Sequence, residues 1–119
     1  MNPDTKNDFY ERVYEVVSKI PKRKVTSYGA IAEYLGARSS ARVVGYAMNN
    51  YKSYNLGYEV PAHRVLNRLG QLTGRAHFEA DTMRERLEQE GITFIEDYTV
   101  DMEKHFWDPY ELENSAGDF

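Results

Sequence analysis

The chain of 119 residues contains no cysteine. That absence excludes disulfide bonds, thiolate-held metals and any reaction carried by a thiol. Histidine is almost as scarce: His63, His77 and His105 are the three present, and they lie far apart in sequence, so no metal site is expected. No apolar run approaches the roughly 20 residues of a membrane helix. The polar N-terminus (Asn2, Asp4, Lys6, Asn7, Asp8) also lacks the apolar stretch of a secretory signal. A cytoplasmic protein with no membrane partner is therefore expected. No signature for a cofactor is legible, and the length fits a single domain over 1–119.

Positive charge is scarce in only part of the chain. The formal charge is −4, yet residues 1 to 78 carry 12 Lys and Arg against 6 Asp and Glu, while residues 79 to 119 carry 3 against 13. A polarised protein can turn a basic face to phosphates and keep an acidic face in water, so the average charge does not exclude a nucleic-acid partner. Uneven charge also occurs in proteins with no such partner, and alone it decides nothing.

Apolar residues Phe9, Val13, Val16, Val17 and Ile20 recur at helical spacing, with Asn7 or Asp8 as N-cap and Pro21 as the stop. Lys22, Arg23 and Lys24 follow in a short connection suited to a sugar-phosphate backbone or to open solvent. Thr26 or Ser27 caps a second helix containing Ile31 and Leu35, ended by Gly36. Ser39 or Ser40 caps a third, through about residue 49, with Val44 and Met48 one turn apart and a low surface at Ala41, Gly45 and Ala47. Two short helices across a tight turn read as a helix-turn-helix, although such pairs also occur in ordinary cores. Residues 51 to 59 read as a loop. Residues 69 to 72 read as a hairpin or tight turn. A fourth helix opens at Asp81 or Thr82 and stops at Gly91, and residues 92 to 95 alternate as a strand. Phe106, Trp107 and Tyr110 are apolar enough to dock the tail, and a frayed acidic end is expected from about residue 112.

About 20 residues beyond the helix pair stands Pro61-Ala62-His63-Arg64-Val65. With this pentapeptide the chain, from about residue 9 to 91, resembles the C-terminal domain of the O6-alkylguanine-DNA alkyltransferases, whose acceptor cysteine occupies the place of Ala62. Its cysteine-less branch is the alkyltransferase-like proteins, which sense lesions without repairing them. Alkyl transfer from guanine O6 is a substitution at carbon and needs a polarisable nucleophile activated by a base. Ala62 offers a methyl group, and the thioethers of Met1, Met48, Met83 and Met102 would become charged sulfoniums. Alkyl transfer at position 62 is chemically excluded, and no enzyme activity is expected.

The resemblance assigns further residues. His63 and Glu90 match the pair that activates the thiol through water; without a thiol they are expected as a structural remnant that holds the loop in hydrogen bonds. Arg42 matches the arginine that fills the gap left when a nucleotide rotates out, and Tyr28 the tyrosine that crowds the neighbouring phosphate. A guanidinium can recover part of the lost stacking. Ala41, Gly45 and Ala47 suit a helix laid in the minor groove, about 6 Å wide before it is opened, or close helix packing. Arg75, in Thr73-Gly74-Arg75, falls where the sensors place an arginine near the modified guanine; a phosphate contact or a solvated loop is the alternative. Arg64 is expected as a brace within the loop. Two departures stand out: the asparagine hinge after the third helix has only approximate counterparts in Asn49 and Asn50, before a loop a few residues longer, and most sensors carry tryptophan where Ala62 stands.

The expected fold is α+β and mainly helical, a winged-helix-like DNA-binding domain with a helix-turn-helix and a small hairpin. The expected function is a monomeric, non-enzymatic damage sensor, nucleoid-associated if the host is bacterial. It binds duplex DNA containing O6-alkylguanine through the minor groove, using Tyr28, Ala41, Arg42 and Gly45. It then flips the nucleotide into a pocket of Tyr28, Ala62, Val65 and Arg75, and hands the lesion to nucleotide excision repair proteins. A winged-helix transcription regulator is the alternative; it explains the helix pair and charge polarity but neither the pentapeptide nor Arg75, and it would choose a sequence and dimerise on half-sites.

Overall fold

The computed structural model describes residues 3–37 and 40–116. Helix α1 (Pro3–Ser18) begins before Asn7 and Asp8, so neither caps it; a proline is tolerated in a first turn, whose N–H groups have no helical partner anyway. Its apolar side buries Tyr10, Val13, Tyr14, Val16 and Val17. The last turn tightens through Lys19 N–H to Val16 O and Ile20 N–H to Val17 O before Pro21 redirects the chain.

Strand β1 (Thr26–Ser27) leads straight into α2 (Tyr28–Tyr34), where Ser27 Oγ accepts the Ala30 N–H at 3.1 Å as N-cap. Gly36, at φ +76°, ends α2: its N–H reaches Glu33 O, and the Ala37 N–H reaches Ala32 O. Helix α3 (Ala41–Asn50) follows. Ser40 stands at its N-cap without a side-chain cap bond, and the Ser39 alternative lies outside the described residues. Ile31 and Ala32 of α2 pack against Val44, Ala47 and Met48 of α3 in one core with α1, Ala62, Val65 and Trp107. This is the helix-turn-helix. Ala47 is fully buried, and its carbonyl accepts the Tyr14 hydroxyl at 2.8 Å, so it belongs to the core and not to the low outer surface expected of it.

After a one-turn segment at Tyr51–Ser53 and a stretch without regular structure, a second such turn at Ala62–Arg64 runs into β2 (Val65–Leu66), which pairs in parallel with β1, Thr26 opposite Val65. This short ladder fixes the pentapeptide beside the start of α2. A smaller core forms from Val25, Leu66, Leu72, Met83, Leu87, Ile92 and Val100. Helix α4 (Thr82–Gln89) contributes two of its members, and Gly91 at φ +88° closes it through Gly91 N–H to Glu88 O and Ile92 N–H to Leu87 O. That closure sets Glu90 at the helix end, facing the pentapeptide.

The tight turn falls at residues 67 to 70, two positions before the 69 to 72 expected, closed by Gly70 N–H to Asn67 O; Gln71 then bridges Thr99, and the hairpin proper lies later, between β3 (Phe94–Glu96) and β4 (Thr99–Val100). Helix α5 (Met102–His105) brings the tail back. Val25 N–H bonds His105 O, Trp107 N–H bonds Val25 O, and Trp107 docks in the main core while Phe106 stays largely exposed. From Glu111 to Ala116 the chain is helical, α6, where a frayed end was expected from about residue 112. The reason is local: Asp108 Oδ1 accepts the Tyr110 N–H at 3.0 Å while Glu111 Oε2 accepts the Asp108 N–H at 3.2 Å, a reciprocal cap with Pro109 inside it. Among the described residues, no helix is long and apolar enough to cross a membrane.

Candidate nucleic-acid interface

Because α2 starts directly at the end of β1, Tyr28 is its first residue and leans over the edge of α3. Tyr28, Ala41, Arg42 and Gly45 line one open depression of about 390 Å³, together with Tyr46, Asn49, Thr73, Gly74 and His77. On α3 the positions 42, 45, 46 and 49 follow helical spacing, and they are the complement of buried Val44, Ala47 and Met48. Tyr46 is 51 % exposed on this face. The surface is therefore low at Ala41 and Gly45 and raised at Arg42 and Tyr46. Burial pushes the Tyr28 phenol above its ordinary value, against a hydrogen bond with Thr73 that pulls it down. A Cβ on Gly74 would stand 3.1 Å from the Tyr28 hydroxyl, so a small residue there lets the loop close over the ring.

Behind the depression lies a smaller cavity of about 120 Å³. Ala62, Val65, Met48, Phe78 and Met83 give it apolar walls, Lys52 and Tyr51 contribute from the turn after α3, and Tyr28, Asn49, Gly74 and His77 line both it and the outer groove. Three expected pocket residues, Tyr28, Ala62 and Val65, meet here. Ala62 is 8 % exposed, and its methyl is part of the wall.

Arg75, the fourth, is not brought to this cavity. Its guanidinium lies 4.1 Å from the centroid of the Tyr98 ring, and it lines a separate depression with Gln71, Thr73, Glu96, Asp97 and Thr99. The cause is the hairpin, which sets Tyr98 beside the turn at Arg75–His77 and fixes it through Tyr98 Oη to Asp81 Oδ1 at 2.9 Å. The face of an aromatic ring attracts a guanidinium.

His63 is 1 % exposed, and its Nε2 lies 2.9 Å from Glu90 Oε2. Arg64 grips the same carboxylate in a fork, Nε to Oε1 at 2.9 Å and Nη2 to Oε2 at 2.7 Å, while its Nη1 donates to Ile20 O at 2.8 Å. Arg64 is thus the internal brace. For Glu90 burial alone would raise the pKa, but the hydrogen bonds and charges of Arg64 and His63 outweigh it and hold the carboxyl at about 2. Burial lowers the His63 pKa, and the neighbouring Arg64 and Arg86 charges act the same way against Glu90. Arg64 already balances the carboxylate, so His63 is neutral, donates from Nε2 and keeps a lone pair on Nδ1. That Nδ1 is buried with no hydrogen-bond partner among the described residues. The arrangement is that of a base beside position 62, where Ala62 has no proton to give.

Sequence reasoning passed over Tyr46, Lys52, His77 and Phe78, and named Asn49 only as an approximate hinge. Tyr46 and Asn49 were legible as the face that also carries Arg42; Lys52, His77 and Phe78 converge only through the turns that follow α3 and precede α4. Among the described residues no group of three or more His, Asp or Glu is placed to hold a metal ion.

Residues 8–92 match the family model of the 6-O-methylguanine DNA methyltransferase DNA-binding domain. The chain is 37 % identical over 108 residues to alkyltransferase-like protein 1 of Schizosaccharomyces pombe, covering 87 % of this chain and 97 % of that one. It is 33 % identical over 103 residues to a DNA base-flipping protein of Vibrio parahaemolyticus, covering 87 % and 99 %. The crystal structure of S. pombe Atl1 in complex with damaged DNA containing O6-carboxymethylguanine superposes with a TM-score of 0.70 at 35 % identity, covering 90 % of this chain and 98 % of that one.

Proposed function

The chain belongs to the family of the 6-O-methylguanine DNA methyltransferase DNA-binding domain, and from that premise we propose that it is a non-enzymatic sensor of O6-alkylguanine in duplex DNA. The observation that carries the reading is the adjacency of two spaces. A groove along α3, lined by Tyr28, Ala41, Arg42 and Gly45, shares Tyr28, Asn49, Gly74 and His77 with a cavity walled by Ala62, at the place of the family's acceptor cysteine.

In this reading α3 enters the minor groove with Arg42 outermost, and the target nucleotide rotates out. Losing a base from the stack costs a few kcal/mol, part of which the Arg42 guanidinium restores by filling the gap. Tyr28 presses on the phosphate beside the rotated nucleotide, and the damaged base enters the cavity with its O6 substituent toward Ala62. His63, Arg64 and Glu90 keep the pentapeptide in shape. Arg75 contacts the modified guanine after leaving Tyr98. The protein acts as a monomer in the cytoplasm and passes the distorted complex to nucleotide excision repair proteins. The relatives named alkyltransferase-like and base-flipping support this reading over a sequence-choosing regulator.

The test is a titration of the protein against one duplex with and without a single O6-methylguanine. The expected result is tighter binding to the damaged duplex at a stoichiometry of one, with little dependence on flanking sequence. Equal affinity for both duplexes, or dimeric binding to one chosen sequence, refutes the proposal.

A further inference from the structure

The groove and the cavity behind it share a property that composition does not predict. The protein carries net charge −4 and 19 Asp and Glu, yet no carboxylate lines either space. The charged groups there are Arg42 in the groove and Lys52 in the cavity, with His77 lining both. Lys52 enters none of the ion pairs formed among the described residues, and it lies in the turn at Tyr51–Ser53 immediately after α3. Arg42 faces the DNA side. Lys52 is the permanent cation that lines the inner space, beside the apolar surfaces of Ala62, Met48, Val65 and Phe78, and on its other side it borders a larger depression that Glu59 and Glu90 also line.

We infer that the cavity prefers O6 adducts that end in a carboxylate, and that Lys52 is the residue that recognises the charge. The inference rests on the proposed lesion reading, in which the O6 substituent points toward Ala62 and its outer end falls within the space that Lys52 lines. A neutral alkyl group meets only the apolar wall. A substituent ending in a carboxylate would be costly against that wall unless a cation pairs with it, and the Lys52 ammonium, which is held in none of the ion pairs among the described residues, can do so with a charge-assisted hydrogen bond. Lys52 is solvent-exposed, so the gain is modest and falls with added salt.

Three duplexes identical except for O6-methylguanine, O6-carboxymethylguanine or its neutral amide, O6-carbamoylmethylguanine, decide the matter when titrated with the wild type and with Lys52→Met. The expected wild-type result is about fivefold tighter binding of the carboxymethyl duplex than of the carbamoylmethyl duplex. In Lys52→Met the ratio should fall to near one. A phosphate contact by Lys52 would instead weaken all three duplexes together and leave the ratio intact, which overturns the inference, as does a wild-type ratio of one. If O6-methylguanine itself has no advantage over guanine, the lesion reading falls and takes this inference with it. A retained methyl preference with no carboxylate preference removes the inference alone.

Discussion

Arg64 and Glu90 meet in a two-point fork, Nε to Oε1 at 2.9 Å and Nη2 to Oε2 at 2.7 Å. The pair joins the pentapeptide to the end of α4, and a third bond from Arg64 to Ile20 O adds the end of α1. Three segments distant in sequence converge on one guanidinium. Geometry of this kind resists slackening, because breaking one arm leaves a largely buried charge without its partner.

Glu90→Gln should therefore destabilise the fold by about 2 kcal/mol at pH 7, discounted because the Glu90 side chain keeps 15 % exposure and solvent screens part of the pairing. The folded-state pKa, at about 2, lies below the ordinary 4.5, so the stabilisation is complete above that ordinary value and is lost as pH falls toward 2. The gap between wild type and variant in urea denaturation should stay constant from pH 7 to about 5.5, then narrow. Both proteins should also lose stability below the ordinary histidine value of 6.5, because buried His63 resists protonation. A gap that widens on acidification would contradict the assignment.

No alkyl group should move to the protein. After long incubation with an O6-methylguanine duplex the intact mass of the chain should be unchanged and the lesion recoverable, since the sequence has no thiol and Ala62 stands beside His63. A gain of one methyl group per chain would locate an acceptor that the chemistry of these side chains does not provide.

Arg42→Ala should reduce base extrusion more than it reduces attraction to undamaged DNA. In the proposed reading Arg42 acts only once the base has left, whereas Lys and Arg elsewhere attract phosphates in both states. A fluorescent base analogue next to the lesion reports extrusion. Equal losses on damaged and undamaged duplexes, with the fluorescence signal unchanged, would make Arg42 a phosphate contact and nothing more.

Tyr46→Ala should leave the thermal midpoint unchanged, because half the side chain is already in solvent, and should weaken DNA binding by about fivefold to tenfold, the scale of one lost aromatic contact to a base or sugar. Tyr46→Phe should restore most of that loss if the ring carries the contact. Unaltered affinity in Tyr46→Ala would place the interface elsewhere on α3.

The helices and their stops were legible because each signal is local: Ser27 caps α2, while Gly36 and Gly91 take positive φ at the two helix ends where sequence reasoning put them. The reciprocal cap of Asp108 and Glu111 was equally local and was overlooked amid the acidic composition of the tail. The cavity was less accessible. Ala62 and Val65 could be named from the pentapeptide, but Lys52 and Phe78 reach the same space through irregular turns whose paths no periodicity encodes. Arg75 stands apart from the cavity for a related reason: its neighbour Tyr98 is 23 positions further on and arrives only through the hairpin.

The stack of Arg75 on Tyr98 yields the most discriminating prediction. If Arg75 contacts the damaged guanine, it must first leave the ring 4.1 Å away, and the free protein then holds back part of its lesion affinity. Removing the ring removes that competition, and the apparent affinity rises by the factor with which the stack disfavours the binding-competent state. Tyr98→Leu should accordingly tighten binding to an O6-methylguanine duplex by about twofold to fivefold, the scale of an exposed cation–π contact, and leave undamaged DNA unaffected. Arg75→Ala should weaken lesion binding, and in the double variant Tyr98→Leu should no longer help. The double-variant cycle separates this arrangement from a loop made generally looser by the loss of Tyr98, which would alter damaged and undamaged duplexes alike. A Tyr98→Leu variant that binds the lesion more weakly would mean that the stack is part of the binding-competent state, and that Arg75 supports the hairpin and does not touch the damaged base.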